Sequence, residues 1–235
     1  TASACPSGSG LNAAVNIPFV SGNSGRKQVP FTYPQAAANV RVRMKVGSSA
    51  AACSTDNFAI RPQQFVVTAP ALGNATLTGS PSAVAGSAFT LTANAGVTAG
   101  YTGTPALNPS KVNDHLSTAI AANTLSGTFL PGTGPSASGA AFKYLDVGNI
   151  KLLADAVLDT GFTSVDQVGD CVVGSTSNTA VAGKYGCNIG SAASATLGRW
   201  YPSHYSFAGT LTPACGPGGF SYMDQDALGM NLVLK

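Results

Sequence analysis

Five cysteines, two histidines and nine aspartates are the residues of this 235-residue chain that could do chemistry. The cysteines (Cys5, Cys53, Cys171, Cys187 and Cys215) stand far apart, with no C-x-x-C pair. With only His115 and His204 to join them, no zinc-finger or c-type haem spacing exists. Scattered cysteines in a chain rich in serine, threonine and glycine point to structural disulfides made outside the cytoplasm. The 16-residue separation of Cys171 and Cys187, across a Gly-, Asn- and Ser-rich stretch, predicts one bridge. Cys5 and Cys53 are paired as a second, and Cys215 is left unpaired or intermolecular. An odd cysteine in an exported chain asks for a partner in another chain or in a removed segment.

Catalytic constellations are missing from the pattern. Acyl transfer needs a serine or cysteine beside a histidine oriented by an acid. His115 follows Asp114 in a polar stretch, His204 sits among aromatics, and no G-x-S-x-G elbow is present. Glycoside hydrolysis needs two carboxylates in different environments, and nothing singles out a pair. Asp155, Asp159, Asp166 and Asp170 crowd one stretch that could offer calcium its oxygens. No D-x-D-x-D-G array exists, however, and turn-forming aspartates at strand ends are the preferred reading. Gly216-Pro-Gly-Gly219 lacks the lysine and helix of a phosphate loop. The expectation is therefore no catalytic residue, no metal and no cofactor. The densest aromatic group, Trp200, Tyr201, His204 and Tyr205 with Phe207, Phe220 and Tyr222 beyond, reads first as a module core. Its alternative is a stacking platform for a glycan, formed by Trp200, Tyr201, His204 and Tyr205.

The elements that must carry these residues are legible from composition. All nine acidic residues are aspartate, glutamate is absent, and charged residues make up only 9% of the chain. Helix surfaces are normally built from long unbranched polar side chains. Their scarcity, beside 28 Gly and 14 Pro, predicts an all-β protein. The clearest strand is Val40–Val46, whose apolar residues alternate with Arg41, Arg43 and Lys45, so one face should be buried and the other wet. Phe58–Thr68 reads as a strand interrupted by Pro62. Phe89–Ala95 alternates again. Around Asp146–Gly148 a tyrosine, a tight corner and the run from Ile150 suggest a pair of strands closing a sandwich. Short strands at such spacing, with Gly, Pro and Asn between them, indicate tandem immunoglobulin-like β-sandwich modules.

The net charge of +3 forms no basic run, which argues against nucleic acid as a partner, and no apolar stretch reaches the length of a membrane span. No signal peptide opens the chain, so residue 1 is expected to be a processed or truncated start. A weakly charged surface permits self-association. An internal echo supports modularity: Arg61-Pro62-Gln-Gln-Phe65 and Arg199-Trp-Tyr-Pro202-Ser-His-Tyr205 each place an aromatic three residues after a proline, downstream of a cysteine. Each is read as the first strand of a module. Residues 1–57 are then the tail of one module, 58–198 a central module with its disulfide-bearing connecting segment, and 199–235 the head of another. The terminal modules are incomplete.

Cys53-Ser-Thr-Asp-Asn-Phe58-Ala-Ile-Arg-Pro62, Tyr101-Thr-Gly-Thr-Pro105, Gly183-Lys-Tyr-Gly-Cys187-Asn-Ile-Gly190, Gly198-Arg-Trp-Tyr-Pro202-Ser-His-Tyr205 and Phe220-Ser-Tyr-Met223 occur in that order. As a set, from about residue 40 onward, they resemble the C-terminal region of large MshQ-type proteins. These are encoded with mannose-sensitive haemagglutinin type IV pilus genes in Gram-negative bacteria. The resemblance implies a secreted or surface-exposed, disulfide-containing, multi-domain β protein, and it implies no enzyme activity. The resulting expectation is a non-enzymatic extracellular structural or adhesive protein. It would associate with copies of itself or with other pilus and surface components, and form a fibre by strand complementation through residues 1–20 or the terminal strand Met230–Lys235. The alternative is a carbohydrate-binding module of a pilus-associated adhesin.

Overall fold

The computed structural model describes residues 3–4, 15–73, 80–96, 99–212 and 229–234. Its strands, in chain order, are β1 (Ser3–Ala4), β2 (Ala37–Val40), β3 (Arg43–Met44), β4 (Ala52–Cys53), β5 (Phe58–Ile60), β6 (Val66–Thr68), β7 (Ala83–Val84), β8 (Ala88–Asn94) and β9 (Ala106–Leu107). There follow β10 (Val112–Asp114), β11 (Leu125–Ser126), β12 (Ser136–Tyr144), β13 (Gly148–Leu152), β14 (Val157–Leu158), β15 (Leu197–Tyr201), β16 (Phe207–Thr212) and β17 (Gly229–Leu234). Only two single 3-10 turns interrupt this pattern among the described residues, as the missing glutamate predicts.

Two four-stranded sheets, ordered β11-β12-β8-β6 and β10-β13-β15-β7, pack across one core. β8 supplies Phe89, Leu91 and Ala93 to that core, with the intervening threonines turned outward in the period-2 manner of a half-buried strand. In β12 the buried residues are Ala137, Gly139, Phe142 and Tyr144, a sequence in which strict alternation would turn the last two to solvent. A register shift between Gly139 and Phe142 corrects the phase. Gly139 is required at that point, because a Cβ would collide with the Thr128 carbonyl and the Phe142 ring. β15 uses the same device. Two steps of β13 (Gly148 to Ile150) face three of β15 (Leu197 to Trp200), and the extra residue is accommodated at Gly198 with φ +69°. Leu197 and Trp200 therefore both point inward although they are three positions apart, an offset that strict alternation would place on opposite faces. Around Asp146–Gly148 the chain turns a corner between the two sheets rather than forming a hairpin, since β12 and β13 pair in different sheets.

Phe58–Thr68 is interrupted at Pro62, as expected, and its two halves lie in different sheets. β5 before it pairs with β2, whereas β6 after it pairs with β8. Both expected module boundaries need correction. The one at 57/58 falls between β5 and its partner β2, and the passage into the sandwich comes after Pro62. The one at 198/199 cuts β15 in two. β15 does not begin a new module, because it pairs with β13 and in parallel with β7 while its Trp200 fills the central core. Outside the sandwich, β1-β4-β3, β2-β5 and β16-β17 form small sheets, and a tandem repetition of the sandwich is not seen among the described residues.

The segment Val40–Val46 departs from expectation. It breaks into β2 and β3, and its apolar face is not covered: Val42 is 49%, Met44 61% and Val46 82% exposed. Alternation there created an apolar face, but no described element packs on it.

Candidate functional site

Of the four residues considered as a ligand platform, Trp200 is unavailable. Its indole is buried, with ring centroids 5.2 Å from Phe89 and 4.9 Å from Tyr144, so it joins the two sheets. Gly198 lies beneath it, and a Cβ there would enter the indole ring. Tyr201, His204 and Tyr205 are exposed. Core and surface are thus divided within one short stretch, because β15 alternates up to Tyr201 and the chain leaves the sheet afterwards. Among the described residues the His204 ring is hydrogen-bonded to the neighbouring Ser203 hydroxyl, at 2.9 Å, and to no acid.

Tyr101, from the Tyr101–Pro105 stretch, is a core anchor. Its ring meets Phe65 and Phe162 at 5.2 Å each, and its hydroxyl donates to Asp159 Oδ2 at 2.5 Å. Asp159 is itself buried, and its other oxygen accepts the backbone N–H groups of Gly161 and Phe162. Burial and the carboxylate beside it push the Tyr101 hydroxyl far above the ordinary tyrosine value. Tyr144 is pushed up to about 12 by burial, then by the charges of Asp146 and Asp114. The remaining crowded aspartates also tie loops. Asp155 Oδ2 accepts the Thr176 hydroxyl, Asp166 Oδ1 the Ala59 N–H, and Asp170 Oδ2 the Gln167 N–H. Among the described residues no group of three His, Cys, Asp or Glu is arranged to hold a metal ion.

The one bridge resolved atom by atom among the described residues is Cys171–Cys187, with the 16-residue separation expected. Cys53 is disulfide-bonded, while Cys5 and Cys215 lie outside the described residues. The Cys171–Cys187 bridge closes a loop that is otherwise poor in regular structure. Val172 and Tyr185 are joined by a backbone bond of 2.8 Å, and the Val181–Lys184 turn closes the tip. Beyond the bridge the chain is stitched back to the sandwich. The Phe65 N–H donates to the Gly190 carbonyl, Asp159 and Ile189 exchange both backbone bonds, and the Val157 N–H donates to the Ser191 hydroxyl.

This loop forms one wall of a groove of about 640 Å³ whose other wall is residues 56–63. Arg61 spans the two, its guanidinium donating to the carbonyls of Gly186 at 2.9 Å and Ser177 at 3.2 Å, and to Pro62 and Gln63 on its own side. Gln167 Nε2 donates to Asp56 Oδ1 at 2.7 Å, a second tie between the walls. Asp166, between Asp56 and Asp170, has its carboxyl pushed above the ordinary aspartate value, first by burial and then by those two negative charges, against the lowering effect of the Ala59 N–H. Sequence reading overlooked this groove because its walls are more than a hundred residues apart. The Cys171–Cys187 spacing and the crowding of Asp166 and Asp170 were its visible traces.

A family model described as DUF6701, third domain, matches residues 173–235 of this chain. The match begins inside the disulfide loop and takes in β15, β16 and β17. No curated protein and no solved structure is significantly similar to the chain.

Proposed function

We propose that this chain is a non-enzymatic structural or adhesive protein of the cell exterior, of the MshQ type, that associates with copies of itself or with other surface components through an open sheet edge. The observation that carries this reading is β3. Among the described residues it is the outer strand of the β1-β4-β3 sheet, and Val42, Met44 and Val46 around it are exposed. An unpaired edge with an apolar face is a template for another strand, with main-chain hydrogen bonds supplying affinity and the alternate side chains filling a groove. Sheets of two or three strands are marginal alone, and β1-β4-β3, β2-β5 and β16-β17 are all of that kind. A net charge of +3 spread over 235 residues opposes self-contact only weakly.

The Cys171–Cys187 bridge supports an oxidising compartment, and no helix among the described residues is long and apolar enough to cross a membrane. The DUF6701 match is compatible with the MshQ-type resemblance. A glycan platform on Trp200 is set aside, since its indole is enclosed by the core. The test is sedimentation velocity from micromolar to millimolar protein, comparing the parent chain with a Met44→Asp/Val46→Asp variant. Mass should grow with concentration in the parent and not in the variant. A parent that stays monomeric throughout refutes assembly of copies through the β3 edge.

A further inference from the structure

We propose that the groove between residues 56–63 and the disulfide-closed loop is a binding site for a neutral sugar. The site is independent of self-association. Its volume, about 640 Å³, lies within the range of small-molecule sites and leaves room for a short oligosaccharide. Its walls are held before any ligand arrives, by the Cys171–Cys187 bridge, the four carbonyls on Arg61 and the Gln167–Asp56 bond. Pre-organisation of this kind lowers the cost of ordering on binding.

The lining decides the ligand class. Phe58 from one wall and Tyr185 from the other are partly exposed rings, suited to the apolar C–H face of a pyranose. Gln63, Asn178 and Lys184 reach the same space, and none of their side chains, nor the Tyr185 hydroxyl, is engaged in a hydrogen bond within the described residues. Amides both donate and accept, the ammonium donates, and carboxylates accept, which is the complement that vicinal hydroxyls require. Three carboxylates (Asp56, Asp166, Asp170) stand against two cations, Arg61 and Lys184, so the groove is close to charge balance. An anionic ligand would meet the carboxylates and find most of the Arg61 donors already engaged by backbone carbonyls. An apolar ligand would strip water from those carboxylates without replacing its hydrogen bonds.

The test uses the full, non-reduced chain on an array of neutral oligosaccharides ending in hexose or N-acetylhexosamine. Sialylated glycans, sulfated glycans and a lysine-rich peptide are printed beside them. The expected result is retention on a subset of the neutral glycans, competed by the free sugar and weakened at least tenfold by Tyr185→Ala, with a smaller loss for Asn178→Ala. Tyr205→Ala, exposed and outside the groove, should bind as the parent does. Absence of binding to every neutral glycan, binding indifferent to both groove variants, or retention on the peptide or the acidic glycans alone would each overturn the proposal. Because Tyr185 and Asn178 lie in an exposed loop, an unchanged melting temperature for both variants is the accompanying control.

Discussion

Replacing Trp200 by alanine tests whether β15 is part of the sandwich. The indole is 1% exposed and reaches from β15 of one sheet to Phe89 of β8 and Tyr144 of β12 in the other. Truncating a buried tryptophan costs about 3–5 kcal/mol in lost transfer energy and residual cavity. The two tilted ring pairs, worth about 0.5–1.5 kcal/mol each beyond their area, place this site in the upper part of that range. For a chain of this length one kcal/mol moves the midpoint of thermal unfolding by about 2–4 °C, so a cost of about 4–5 kcal/mol gives an expected fall of about 8–20 °C. Tyr201→Ala is the internal comparison. It removes a neighbouring aromatic that is 45% exposed, and its cost should be about 1 kcal/mol at most. Differential scanning calorimetry on the non-reduced chain measures both. A Trp200→Ala midpoint no lower than that of Tyr201→Ala would mean that the indole does not bridge the sheets, and a module boundary after residue 198 would be restored.

Three other outcomes follow from the same geometry. In a spectrophotometric titration, the Tyr101 and Tyr144 hydroxyls should stay protonated at pH 11 in the native protein and release their protons on unfolding. Their folded values are raised, so the unfolded chain holds fewer protons above about pH 10 and stability should fall as pH rises through that value. Two tyrosines titrating normally before unfolding would contradict the burial. A Cys171→Ser/Cys187→Ser variant should lose up to about 3 kcal/mol, the loop-closure value for a ring of this length, and hydrogen exchange should locate the change at the Val172 and Cys187 amides rather than in β8 or β12. Asp166 has a raised folded value, so its ionisation works against the fold as pH climbs from the ordinary aspartate range towards neutrality. Asp166→Asn should flatten that decline in melting temperature while keeping the bond from the Ala59 N–H, and an unchanged slope would show that the carboxyl is not confined by its neighbours.

What could be read in advance divides along physical lines. The absence of glutamate and the alternation of Phe89–Ala95 depend on local chemistry, and they announced the β class and β8. Pro62 has no N–H to donate and announced the interruption of the strand. The bulges at Gly139–Phe142 and Gly198 were hidden, because they conceal the periodicity by which strands are recognised. The consequence was largest for Trp200, whose cluster with Tyr201 and Tyr205 looked like one feature and is divided between core and surface. Val40–Val46 failed for the converse reason. Its alternation is real, but burial needs a partner layer, and pattern alone does not say whether one exists. The groove was invisible because Arg61 and Gly186 become neighbours only through tertiary contact.

Hydrogen exchange at residues 42–46, followed as the protein concentration is raised, bears most directly on assembly through the β3 edge. Protection of those amides should increase with concentration, in step with the sedimenting mass, while the amides of β8 and β12 keep the protection they have in the dilute chain. Protection at residues 42–46 that stays constant while larger species form would place the contact elsewhere and contradict the account.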